Sequence, residues 1–322
     1  MLSSETLISI SQWWTILLGI ALLIFGFFGA LMNWMIFSRQ RFRKASSSQY
    51  IVTQSIFDVI TLSVALLPQV IVGGFGYPYL FSLQLLCTFR NYLSIFSSQA
   101  ALYSKCLIAF DIWASTSRHA TIRQWAKLNR VRFLILMNIL FWMLASIPYA
   151  VFAKILLIRN IWQCTVVGPG ILTYQAYVFV PCLILFIPLF SLSFFGYFSY
   201  VNMTRFNALV HIRQINRQLV RMVLVQIAVT AISFVPYGLQ FIYSTVTANW
   251  QKSSQWMALD SLIVQITRIG FFGNSTVEFY IYISQSNDVR FTFKQILMNF
   301  KVICGRNRVF SINARTHNTN TT

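Results

Sequence analysis

Long apolar runs divide this chain. The first extends from Trp13 to Phe37 without a charge, the second from Tyr50 to Ile71 with only Asp58, and the third over about Gln84 to Trp113 with Arg90, Lys105 and Asp111. A fourth from Phe133 to Phe152, a fifth over about Tyr174 to Val201 and a sixth from Met222 to Val246 are uncharged, and a seventh over about Ser261 to Ser284 holds Arg268 and Glu278. A hydrocarbon core of about 30 Å needs roughly 20 predominantly apolar residues in helix, whereas a barrel strand needs about 10 with alternating polarity. The pattern therefore predicts an all-α integral membrane protein, a seven-transmembrane helix bundle. Residues 1–12 precede the bundle at 13–284. Phe291, Phe293, Ile296, Leu297 and Phe300 alternate with Arg290, Lys294 and Lys301, so 285–303 reads as a short amphipathic helix on the membrane surface. The Asn- and Thr-rich residues 304–322 read as a disordered tail.

Composition strengthens the membrane assignment. Apolar residues are 57% of the 322 and charged residues 10%, against roughly 45–50% and about 25% in soluble domains. So few charged side chains are too sparse to cover a soluble surface of this size. A disordered regulator, a disulfide-dense module and a soluble metalloenzyme are excluded on the same ground. The first run is longer than a signal-peptide core and no Lys or Arg precedes it, so it is expected to stay in the mature protein.

The net charge of +19 follows the topology rather than a nucleic-acid interface, because the basic residues lie between apolar runs. Connections one, three and five and the segment after the seventh run hold nineteen Lys and Arg, among them Arg39, Arg118, Arg123, Arg130 and Arg213. The other side holds Lys154, Arg159 and Lys252. Positive loops stay in the cytosol. The expected protein is a multi-pass plasma-membrane protein with its N-terminus extracellular and its C-terminus cytoplasmic, bound to the lipid bilayer and to no nucleic acid.

Within these runs stand Asn33 in the first, Asp58 in the second, Cys87 opening the third, and Asp111 closing it 24 residues later. Trp142 lies in the fourth, Cys164 in the following outer loop, Pro188 in the fifth and Pro236 in the sixth. This ordered set resembles the rhodopsin-like (class A) family of G-protein-coupled receptors over nearly the whole chain. The departures are specific. The acidic-Arg-aromatic triplet reads Asp111-Ile112-Trp113, the Trp two residues before the sixth-run proline is Phe234, and of the Asn-Pro-x-x-Tyr motif only Tyr282 is kept. The resemblance implies a divergent branch. The run Phe279-Tyr280-Ile281-Tyr282 is similar to that of invertebrate orphan receptors, including FMRFamide-receptor-like ones.

The placement of the cysteines points to a Cys87–Cys164 bridge, since these two lie near the oxidising outer face. Cys182 is the rival partner, and Cys304, after the amphipathic stretch, is a palmitoylation candidate. The charges inside the runs call for partners. Asp58 matches the family's sodium-site carboxylate, so a bound sodium ion and a hydrogen-bond node are both open, with Asn33, Asn274 and Glu278 as neighbours. Lys105 pairs with Asp58 or Glu278, or else snorkels towards water. Arg90 and Arg268, near the outer ends of runs whose family counterparts line the ligand cavity, favour a ligand with a carboxylate or dense carbonyls. The bland alternative is an Arg268–Asp260 pair at the rim. Phe234 and Tyr237 complete the expected pocket. Asp111, Ile112, Trp113 and Arg118 form the expected G-protein face. Pro188, Pro236 and Tyr282 are the expected helix-motion features.

There is no HExxH, no GxSxG and no Gly-rich phosphate loop, so an enzyme is not expected. The implied function is transduction of an extracellular peptide or small acidic or polar molecule into signalling through a heterotrimeric G protein. The alternatives are a seven-helix transporter or ligand-gated channel subunit, and a signalling-deficient receptor relative.

Overall fold

The computed structural model describes residues 4–43, 45–77, 83–158, 161–205, 210–247 and 250–299. Among the described residues, six helices are long and apolar enough to cross a membrane. These are α1 (Ser4–Phe37), α2 (Ser46–Gly74), α3 (Gln84–Thr116), α4 (Leu128–Val151), α5 (Pro169–Thr204) and α6 (Val210–Val246). They are followed by α7 (Ser254–Thr276), α8 (Glu278–Gln285) and a helix at 287–299. The protein is a helical membrane bundle.

Polarity is inverted relative to a water-soluble fold. Trp13, Leu17, Phe25, Phe133, Leu144, Phe186 and Ile232 point outward and are exposed, while Asn33, Asp58, Lys105, Asp111 and Glu278 are buried. Water would penalise so much contiguous apolar surface. Lipid does not. The helices close a ring in which α1 packs on α2 and α7, α6 on α5 and α7, and α3 on α2, α4 and α5. α3 is the central strut, and more of it is buried than of the other long helices.

Two departures from the expected pattern shape one half of the bundle. The loop after α4 is an antiparallel hairpin of β1 (Ala153–Ile158) and β2 (Ile161–Val166), with Ile155 opposite Cys164. Its alternation is too short to register beside the apolar runs. Regular α geometry is also interrupted by π turns at Leu62–Leu66 and Val70–Gly74 in α2, and over Gln175–Phe186 in α5. Pro68 sits in the short α turn Leu67–Gln69 between the two π turns of α2 and Pro181 within that of α5, and each lacks the N–H of a regular i→i−4 bond. In α5 the irregular segment surrounds Pro181, and Pro188 marks the return to α geometry in Ile187–Arg205.

The first helix begins by Ser4, ahead of the expected Trp13, because Leu7, Ile8 and Ile10 continue the helical pattern. At the other end, Val289 and Ile296 of the 287–299 helix are buried, while Phe291, Leu297 and Met298 are exposed, in keeping with an amphipathic segment. Phe300, Cys304 and the remainder of the tail lie outside the described residues.

Candidate functional site

Three ties lash the hairpin to the N-terminal end of α3. Cys87 and Cys164 form a disulfide, Gln84 Nε2 donates to the Ala153 carbonyl at 2.7 Å, and Ile155 N–H donates to Gln84 Oε1 at 3.2 Å. Asn91 Nδ2 adds a contact to Cys164 Sγ at 3.0 Å. Cys182 is free and exposed, and Cys106 free and buried. β2 is thereby held as a roof, and Cys164, Thr165 and Val166 line the cavity beneath it.

That cavity has a volume of about 420 Å³ and is walled by α2, α3, α5, α6 and α7. Arg90, Arg268 and Tyr237 line it, together with Gln69, Ser98 and Gln99. Phe234 does not. It stacks on Phe271, centroids 4.6 Å apart, and Phe271 lines the wall in its place. Arg90 is oriented by a backbone irregularity. Pro68 has no N–H to offer the Val64 carbonyl four residues earlier, and Arg90 Nε donates to that carbonyl at 3.3 Å. The expected rim pair of Arg268 with Asp260 is replaced by a different one, because Lys252 Nζ lies 2.5 Å from Asp260 Oδ2. Asp260 holds Lys252 above the usual lysine range. Among the described residues no Asp or Glu lines the cavity. Gln99 is 1% exposed and its Oε1 has no hydrogen-bond partner. Two guanidinium groups thus line the same space, complementary to a ligand with an anionic group.

Beneath the cavity lies a polar core. Lys105 Nζ is 2.6 Å from Glu278 Oε1, with the two side chains 1% and 3% exposed. Of the partners considered for Lys105, the structure pairs it with Glu278, and it does not snorkel. The same ammonium donates to the Asn274 carbonyl at 3.0 Å. Asn274 is in the last turn of α7 before the break at Val277, where helix carbonyls lose their in-helix donors. Gln226 Nε2 of α6 donates to Glu278 Oε2 at 2.9 Å, and Thr230 Oγ1 donates to Asn274 Oδ1 at 3.2 Å. One network therefore joins α3, α6, α7 and α8.

Asp58 accepts from Gln54 Nε2 at 3.3 Å, and Asp58 Oδ1 and Asn33 Oδ1 are buried without hydrogen-bond partners. A sodium ion needs several oxygen ligands. The side-chain and backbone oxygens of Asn274 each already accept a hydrogen bond, from Thr230 and from Lys105, and among the described residues no group of three His, Cys, Asp or Glu could hold a metal.

At the end of the bundle away from the hairpin, Ser46 Oγ donates to Asp111 Oδ2 at 2.6 Å, so a serine of α2 engages a carboxylate near the end of α3. Ile112 lines a cavity of about 270 Å³ together with Tyr282, Met222 and Val289. Trp113 packs on Phe110 and Phe195. Arg118 lies just beyond α3 and is exposed. Pro236 stands within α6, one residue before Tyr237.

Sequence reasoning missed Gln99, Gln226 and the hairpin. The two glutamines carried a signal, since an uncharged polar side chain inside an apolar run needs a partner as a charge does. The chain matches no protein-family model and no curated protein.

Proposed function

We propose that this chain is a seven-helix receptor of the plasma membrane, with α7 and α8 as its seventh span, its N-terminus outside and its basic loops in the cytosol. It binds a short peptide or small acidic molecule in the roofed cavity and passes the event inward to a heterotrimeric G protein. The observation that carries this reading is the cavity itself, roofed by the hairpin and with Arg90 and Arg268 on its wall. Packing of α7 against α1 and α6 supports its counting as a span despite its charges. The basic residues at one end of the bundle support the orientation. The Lys105–Glu278–Gln226 network lies between the two ends and ties the helices whose relative positions a ligand would bias.

Short peptides with free carboxylates and acidic metabolites are screened on cells that carry a promiscuous G protein. A charge-assisted hydrogen bond contributes about 1.5–3 kcal/mol, so Arg90→Ala and Arg268→Ala each lower the potency of an agonist by roughly tenfold or more. Unchanged potency in both variants refutes the pocket. An N-terminal epitope stained only after permeabilisation refutes the orientation.

Ile112 supports a second reading, a receptor relative that binds ligand without activating a G protein. Arginine-dependent binding to purified protein, with no agonist-driven nucleotide exchange on any G-protein class, is its signature. Net solute flux in proteoliposomes would instead assign the chain to the transporters.

A further inference from the structure

A third cavity, of about 680 Å³, opens on the outer side of the bundle where α3, α4 and α5 meet. On α3 its lining runs from Tyr103 to Trp113. Ten residues of helix rise about 15 Å, half of the roughly 30 Å hydrocarbon core. The groove is as long as one leaflet is deep. Its other wall is α4, where Met137 and Phe141 are exposed. Asn138 is the polar exception and is engaged with the Ala100 carbonyl and Ser104 Oγ at 3.1 and 3.2 Å.

The inner mouth is formed by Ile122 and Trp125, on the turns Ala120–Arg123 and Gln124–Ala126. The same connection carries Arg123, Lys127 and Arg130, and the Arg130 guanidinium lies 5.0 Å over the Trp125 ring. No Asp or Glu occurs anywhere between Asp111 and Asp260 in the sequence. Asp111 itself is buried against Ser46.

We propose that this groove holds an acyl chain of an anionic phospholipid whose phosphate sits at Arg123, Lys127 and Arg130. The depth matches one monolayer, and the cations lie where that monolayer places its headgroups. Any membrane lipid fills an apolar groove without preference, since lipid tails are as apolar as the wall. Selection comes from the rim. A sterol hydroxyl would leave three cations unanswered. A second copy of this chain related by a two-fold axis would bring like-charged rims together with no acid between them. The inference rests on α3, α4 and α5 spanning a bilayer, and is independent of the ligand and of any G protein.

Detergent-purified protein is exchanged into equal amounts of phosphatidylserine and phosphatidylcholine, and the retained lipids are counted by native mass spectrometry. Three cations near an anionic headgroup favour phosphatidylserine by roughly tenfold or more. The variant Arg123→Gln/Lys127→Gln/Arg130→Gln brings the ratio to near unity, while Arg39→Gln/Arg41→Gln/Arg43→Gln, on the first connection, preserves it. Met137→Trp, which fills the groove from an exposed position, lowers the number of phosphatidylserine molecules retained. Both groove variants are accepted only with a wild-type-like thermal transition, and either one suffices. Equal retention by the wild type overturns the proposal, as does a preference that survives the Arg123 triple variant or is lost equally in the Arg39 one. A dimer dissolved by Met137→Trp assigns the face to self-association. Loss of the preference to inorganic phosphate alone, with Met137→Trp silent, reduces it to an anion site without an acyl groove.

Discussion

Replacing Lys105 by Met removes the ammonium 2.6 Å from Glu278 and leaves that carboxylate buried, with Gln226 as its remaining donor. Breaking a buried ion pair from one side costs about 3–5 kcal/mol, because a charge stays behind without its partner. Replacing both partners by uncharged groups of similar volume is often close to neutral. Lys105→Met and Glu278→Gln are therefore each expected to destabilise by about 3–5 kcal/mol, while Lys105→Met/Glu278→Gln restores most of the loss. At roughly 2 °C per kcal/mol for a large domain, each single variant lowers the midpoint of thermal unfolding in one detergent by roughly 6–10 °C. The double variant should return to within a few degrees of the wild type. The cycle works because the two residues sit on α3 and α8 and meet only in the folded bundle. If the losses in the two single variants simply add in the double, Lys105 and Glu278 are not coupled and the network is misassigned. If Asp58→Asn instead rescues Lys105→Met, the ammonium's energetic partner is Asp58.

Cys87→Ser opens a crosslink between residues 77 apart in sequence. The chain-entropy model puts that at about 4 kcal/mol, and the hairpin roof is released with it, so surface expression measured by flow cytometry should fall sharply. Gly238→Ala places a methyl group 2.2 Å from Leu185 Cδ1 and 2.8 Å from its Cγ. The whole Leu185 side chain must move, and a loss of about 1–3 kcal/mol is expected; an unchanged thermal midpoint would show that α5 and α6 separate freely there. Asp260 raises the Lys252 pKa, so this surface pair is complete at neutral pH and is lost only as alkaline solution deprotonates the ammonium. Asp260→Asn should accordingly lower the thermal midpoint slightly at neutral pH and not at strongly alkaline pH. A drop of equal size at both would place the effect elsewhere.

The membrane class of this protein is written in its sequence, because lipid demands about 20 apolar residues per crossing and six stretches supply them as long helices without tertiary help. The bridge was legible too, since few cysteines lie near the outer face. So was the identity of Arg90, Arg268, Lys105 and Glu278 as residues needing partners, because an intramembrane charge is rare and costly. What stayed hidden was the pairing. Lys105 lies as plausibly near Asp58 as near Glu278 along the chain, and only the break at Val277, with Gln226 arriving from α6, selects Glu278. Asp260 belongs to Lys252 of the preceding loop and not to Arg268, which lies eight residues further along α7, about 12 Å of helix rise away, and lines the cavity. The groove beside α4 shares this origin, because Tyr103, Trp125, Met137 and Phe195 are far apart in sequence and come together only once the helices have packed. The hairpin and the π turns are local, and they stayed hidden because each is short and sits within or beside a long apolar run whose pattern hides it.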